Sequence, residues 1–122
     1  MKIRIQGDSI RIRLSKSEVN QLVNEGIVEE KTSFLNSSFG YCLKKIAGIT
    51  ELSATYETDK IIMFVPESIL ENWPTNNVVG FEAHMPISET DSLYLLLEKD
   101  FKCLDNTSED QSDNFENPNK TC

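Results

Sequence analysis

Residues 2–14 alternate apolar and polar side chains with a period of two, and a helix-start signal follows at once. Ile3 and Ile5 alternate with Lys2, Arg4 and Gln6; Ile10, Ile12 and Leu14 alternate with Arg11 and Arg13. β-Branched residues at that spacing specify half-buried strands. Gly7-Asp8 between the two runs predicts a hairpin turn, since glycine accepts positive φ without a Cβ clash. The isoleucines then share one face and the basic residues the other. Ser15 and Glu18 form a capping box. Val19, Leu22 and Val23 recur at helical spacing up to Gly26, a natural C-cap. A helix of about three turns is too short to stand alone, so it must dock its apolar stripe on a sheet.

Further strands are predicted at residues 28–34, 41–46, 52–56, 60–65, 78–85 and 93–98. Residues 60–65 read as buried on both faces, and 93–98, the most apolar strand, as central. Pro66 predicts the start of a second helix carrying Ile69, Leu70 and Trp73, ended by Pro74. A shift of fifty-one residues lays Asp8, Ile10, Ser17 and Val28 on Asp59, Ile61, Ser68 and Val79. That gapless alignment reads as an internal repeat, β-β-α-β-β twice. The fold class is therefore α+β: a mainly antiparallel eight-stranded sheet, or a half-open barrel, with two helices on one face. Its core is expected to hold Ile3, Ile5, Ile10, Ile12, Val19, Leu22, Ile69, Leu70, Trp73, Leu95 and Leu97. Residues 1–104 form the domain. Residues 105–122 are too polar to offset their own ordering entropy and read as a flexible acidic tail.

Charge bounds the partners. The net charge of −8 argues against nucleic acid, which demands a basic surface. No apolar run approaches a membrane span, and no signal peptide is visible. Cys42, Cys103 and Cys122 lack metal-ligand spacing and fit free thiols in a reducing cytoplasm. The charge is unevenly spread, however. All three arginines fall within residues 4–13, whereas residues 105–122 hold five acids and one lysine.

Two groups of residues could carry a function. Lys2, Arg4, Arg11 and Arg13 would stand side by side on the hairpin, where arginines bind phosphate or carboxylate bidentately. A solvated sheet face is the plainer reading of the same four. Glu30, Glu82, His84 and Glu98 lie in predicted strands. If the sheet curls into a barrel, some would point into its lumen with the arginines; Glu30, Glu82 and Glu98 are then candidate ligands for a divalent metal. His84 is the only histidine, and no Ser or Cys motif supports nucleophilic catalysis. The tail is expected to contact the basic face, residues 109–116 reaching Arg4, Arg11 and Arg13 with Phe115 as anchor.

The order of elements is similar to that of the triphosphate tunnel (CYTH-like) superfamily, which implies metal-dependent phosphohydrolase chemistry. That family opens with Glu-x-Glu-x-Lys on its first strand, whereas this chain opens Lys-Ile-Arg-Ile-Gln, so no catalytic residue carries over. Residues 2–11 (Lys-Ile-Arg-Ile-Gln-Gly-Asp-Ser-Ile-Arg), the Phe-Lys-Cys-Leu stretch at 101–104 and the Asp-Asn-Phe-Glu-Asn-Pro stretch at 113–118 resemble an uncharacterised bacterial family. The resemblance implies a bacterial cytoplasmic domain and brings no activity, cofactor or partner. The reading is a small non-catalytic binding protein. Its partner is a small anionic ligand or an acidic protein segment on the arginine face. No cofactor is expected, and the alternative is the metal-dependent phosphohydrolase.

Overall fold

The computed structural model describes residues 1–102 and 112–116. Strands β1 (Lys2–Ile5) and β2 (Ser9–Leu14) form the first hairpin, α1 (Lys16–Glu25) follows, and β3 (Ile27–Ser33) and β4 (Ser38–Ile46) form the second. Then come β5 (Ser53–Glu57), β6 (Lys60–Pro66), the one-turn α2 (Glu67–Leu70), β7 (Gly80–Pro86) and β8 (Ser92–Lys99). The fold is α+β, as expected. The strands make two four-stranded sheets, ordered β1-β2-β8-β7 and β3-β4-β6-β5, rather than one eight-stranded sheet or a closed barrel. The central pairs β2–β8 and β4–β6 run parallel, so both sheets are mixed. Hydrophobic periodicity reports which face a strand buries, not which strand it pairs with, and the parallel pairings are for that reason invisible in it.

Each sheet takes one hairpin from each half of the chain. Exchanging the halves converts the strand order of one sheet into that of the other. The first hairpins pair identically at a shift of fifty-one: Ile3 opposes Ile12, and Ala54 opposes Met63. The second hairpins do not. Val28 opposes Leu43, and the corresponding pair is Phe81 with Leu97. The gapless alignment of Val28 with Val79 is thus corrected: extra residues between α2 and β7 leave Val79 ahead of its strand.

Both helices cross between the sheets. α1 leaves β2 in one sheet and enters β3 in the other; α2 leaves β6 and leads back through a turn to β7. They therefore cap one end of the sandwich instead of lying on one face of a shared sheet. α1 rests on β2, β3 and β4, and α2 on β6. The four hairpin turns occupy the opposite end. Lys45 Nζ donates to the Val23 carbonyl at the C-terminal side of α1 at 2.7 Å, and Lys99 Nζ donates to the Asn76 carbonyl in the turn beyond α2 at 2.6 Å. The Lys45 cation there complements the exposed last-turn carbonyls of α1 and its dipole. Lys99 is buried, which lowers its pKa, and its ammonium sits 5.7 Å from the Trp73 ring centre and 5.0 Å from that of Phe115.

The core lies between the sheets. Ile10, Ile12, Val19, Leu22, Leu70, Trp73, Leu95 and Leu97 are buried as expected, with Ile3 and Ile69 packed at its margin. Ile5 is the exception, 53% exposed, because β1 is an edge strand and Ile5 ends it at the turn end of the sandwich. Ser15 caps α1, with Glu18 Oε1 accepting from the Ser15 backbone N–H at 2.9 Å, and Gly26 closes the helix in the left-handed conformation. The second helix is shorter than expected: Pro66 ends β6, and Trp73 lies in the turn beyond α2. Among the described residues, no helix is long and apolar enough to cross a membrane.

The β5–β6 turn places Thr58 and Asp59 at φ 52° and 58°. A two-residue hairpin favours these primed-turn angles, but a β-branched residue pays sterically for them. Thr58→Gly should therefore stabilise the protein by about 0.5–1 kcal/mol, after subtraction of glycine's larger unfolded-state entropy. Urea denaturation measures it; a destabilised variant would mean that the turn carries no strain.

Candidate functional site

The outer face of the sheet β1-β2-β8-β7 gathers the four predicted cations. Across β1 and β2, Lys2 stands opposite Arg13 and Arg4 opposite Arg11. The rows continue into β8 and β7: Arg13 meets Glu98, and Arg11 meets Leu96, which meets Glu82. Ser9 meets Tyr94, which meets His84. Alternation alone puts these residues on one face, because their neighbours Ile10, Ile12, Leu95 and Leu97 turn into the core. Arg4, Gln6, Ser9, Arg11, Tyr94 and Leu96 line a shallow depression of about 220 Å³.

The charges on this face are incompletely balanced. Arg11 Nε donates to Glu98 Oε1 at 2.6 Å, and Lys2 Nζ lies 3.0 Å from the Asp100 carboxylate. Arg4 and Arg13 have no ion-pair partner among the described residues. Like charges directly opposite on neighbouring strands repel by a few tenths of a kcal/mol to about 1 kcal/mol. Two such pairs, Lys2 with Arg13 and Arg4 with Arg11, stand next to each other here. Tyr94 Oη donates to Glu82 Oε2 at 2.5 Å; that bond, then burial, holds the phenol's pKa above its ordinary value. The depression was only half readable beforehand. Gln6 and Ser9 share the alternation phase of Arg4 and Arg11 on the hairpin, whereas Tyr94 and Leu96 join them through the parallel β2–β8 pairing, for which periodicity offers no signal.

The carboxylates of the metal hypothesis do not converge. Glu82 and Glu98 share the arginine face on adjacent strands, bonded to Tyr94 and Arg11. Glu30 belongs to the other sheet, where it accepts from Tyr41 Oη at 3.1 Å and lies 3.2 Å from the Met1 amine. Among the described residues, no three His, Cys, Asp or Glu side chains group as metal ligands. His84 packs on the Tyr94 ring, centres 5.0 Å apart. Cys42 is a buried free thiol whose pKa is raised by burial. Cys103 and Cys122 lie outside the described residues.

Residues 112–116 contact the helix end of the sandwich. Asp113 faces the start of α1, accepting from the Ser17 hydroxyl at 2.6 Å and the Ser17 N–H at 3.2 Å. Its carbonyl accepts from the Lys16 N–H at 2.9 Å. Phe115 does act as an anchor, but against Phe101 and the Lys99 ammonium. Lys102 Nζ pairs with Glu116 Oε1 at 2.7 Å. A carboxylate beside the first turn of a helix satisfies orphan N–H groups and complements the dipole. Counting charge alone aims residues 109–116 at the arginines and overlooks helix ends; residues 109–111 lie outside the described residues, and Asp113, Phe115 and Glu116 find the partners just named instead.

The Ser17 hydroxyl bond is the largest cause of the lowered pKa of Asp113. A depressed carboxyl pKa stabilises the fold above the group's unfolded pKa, and the gain disappears as pH falls through the folded value. Wild type should accordingly outmelt Asp113→Asn at neutral pH and lose that advantage progressively as pH falls below the ordinary aspartate range and through the lowered folded value. A melting-temperature difference independent of pH would refute the charged contact.

The molecule is thus an α+β sandwich of two mixed sheets, helix-capped at one end, with a cationic patch on one outer face. The chain belongs to a family of unknown function, DUF7009, whose model matches residues 1–119. No curated protein and no solved structure matches it.

Proposed function

We propose that the protein is a non-catalytic binding protein for a small anionic ligand or an acidic protein segment, held on the outer face of β1 and β2. One observation supports this above the others: Arg4 and Arg11 stand directly opposite each other at the rim of an open depression, beside Arg13. Two guanidinium groups at cross-strand distance offer parallel donor pairs to a phosphate or carboxylate. An anion there would also relieve the like-charge repulsion. Ser9 and Gln6 supply neutral donors, and the Tyr94 ring supplies an apolar wall.

The test is a thermal-shift titration with pyrophosphate at low salt. A ligand that binds only the native state raises its stability by RT ln(1 + [L]/Kd), so low-millimolar pyrophosphate should raise the melting temperature. The rise should be absent in Arg4→Ala/Arg11→Ala/Arg13→Ala and should shrink with added salt, as screened surface charge requires. An unchanged wild-type melting temperature would sink the proposal.

A further inference from the structure

The inner faces of both sheets stay mostly apolar past the point where they cover each other, Glu30 and Thr32 of β3 being the polar members. In one sheet Met63, Leu43 and Val28 are buried, Ile61 is nearly so, Tyr41 and Phe39 are half-buried, and Tyr56 is 61% and Phe34 63% exposed. Leu35, at the tip of the β3–β4 turn, is 98% exposed. The other sheet repeats the gradient. Ile12, Leu95 and Leu97 are sealed, Met85 and Leu93 are half-buried, and Ile5 and Ile87 are 53% and 54% exposed. Chain connectivity puts every one of these exposed side chains at the turn end, away from the helices. Among the described residues, Ile27, Val78 and Val79 at the helix end are exposed to a lesser degree, and the five most exposed large apolar residues all lie at the turn end. Scattered single apolar residues need no explanation, but such a concentration on a small domain marks an interaction surface.

The charges around this end decide what it takes. Its turns carry Asp8, Glu57, Asp59, Glu89 and Asp91, all exposed. Two lysines stand near this end, Lys31 and Lys60 in one cross-strand row; Lys60 is paired with Glu29, and the five turn carboxylates outnumber the two cations. An anionic membrane surface would be repelled by these carboxylates, and so would a second copy of the same end. We infer that the turn end of the sandwich docks a basic, amphipathic protein segment, whose apolar side chains cover Phe34, Leu35, Tyr56 and Ile87 while its lysines or arginines meet the turn carboxylates. The anchors would supply the affinity and the acidic rim the selection of partner. This surface lies at the turn end of the inner faces, whereas the arginine depression is on an outer face.

The probe is a synthetic cationic peptide of leucine and lysine, titrated into the isotopically labelled full chain and followed by amide NMR. Saturable shifts are expected at Phe34, Leu35, Tyr56 and Ile87. Phe34→Ser/Leu35→Ser, exposed positions whose folding the same spectra verify, should weaken binding about tenfold or more, as loss of apolar anchors does. Glu67→Gln/Glu71→Gln, at the helix end, should bind as wild type. Absence of binding overturns the inference. So do shifts centred on the helix end, or equal affinity in the serine variant, which would reduce binding to charge alone. Self-association of the free chain that the serine variant abolishes would assign the surface to a second copy. Cosedimentation with phosphatidylserine vesicles would assign it to a membrane, and either result overturns the basic-segment reading.

Discussion

Trp73→Ala will destabilise the protein by about 3–5 kcal/mol, the range for removing a large buried aromatic. Trp73 is fully buried although it lies in the turn after α2. Its ring packs on Phe81, centres 5.2 Å apart, and lies beneath the Lys99 ammonium. Its indole N–H donates to the Val78 carbonyl at 2.9 Å, tying the segment that leads into β7. Alanine leaves a cavity, an unpaired carbonyl and a buried cation that has lost an aromatic wall. Because α2 is a single turn, no helical hydrogen-bond ladder compensates. Chemical denaturation followed by circular dichroism is the measurement, since the substitution removes the protein's one tryptophan fluorophore. A cost below about 1.5 kcal/mol, the scale of a tolerated hydrophobic swap, would show that the turn does not anchor the sheet.

Ile12→Ala should cost about 2–5 kcal/mol. Ile12 is fully buried in an interior strand, opposite Ile3 on β1 and Leu97 on β8. Its loss opens a hole at the joint between the two halves of the chain, where β2 meets β8. The neighbouring strands are fixed by backbone pairing on both sides and have little freedom to collapse into the space. An equilibrium change below about 0.5 kcal/mol, typical of a surface site, would place Ile12 on a solvent face and reverse the phase of the hairpin.

The arginine face was legible because its cause is local. A period of two sends Ile10 and Ile12 inward and Arg11 and Arg13 outward whatever the rest of the sheet does. The capping box at Ser15 and Glu18 and the left-handed stop at Gly26 were legible for the same reason: each is a bond between residues a few positions apart. The partners of those arginines were not. Glu98 reaches Arg11 across a parallel pairing between residues far apart in sequence, and Asp100, just past the end of β8, reaches Lys2 over the intervening β2. Asp113 was assigned to the arginines on charge, and the unfilled donors of α1 hold it instead.

Taken by itself, the sequence determined the strands and α1, the buried faces of the first hairpin and of α1, the turn positions and the grouping of Lys2, Arg4, Arg11 and Arg13. These follow from side-chain periodicity, capping and the conformational range of glycine and proline, all of which act over a few residues. Tertiary structure alone decided that the eight strands divide into two sheets, that β2 and β8 and likewise β4 and β6 run parallel, and that both helices cap one end. It also decided that Glu30 lies on a different sheet from Glu82 and Glu98, and that Ile5, Phe34, Tyr56 and Ile87 come out at the open end. Those outcomes depend on which apolar face covers which. That choice is made by the fit of whole sheets, because the hydrophobic effect rewards buried area and is indifferent to the strand that supplies it.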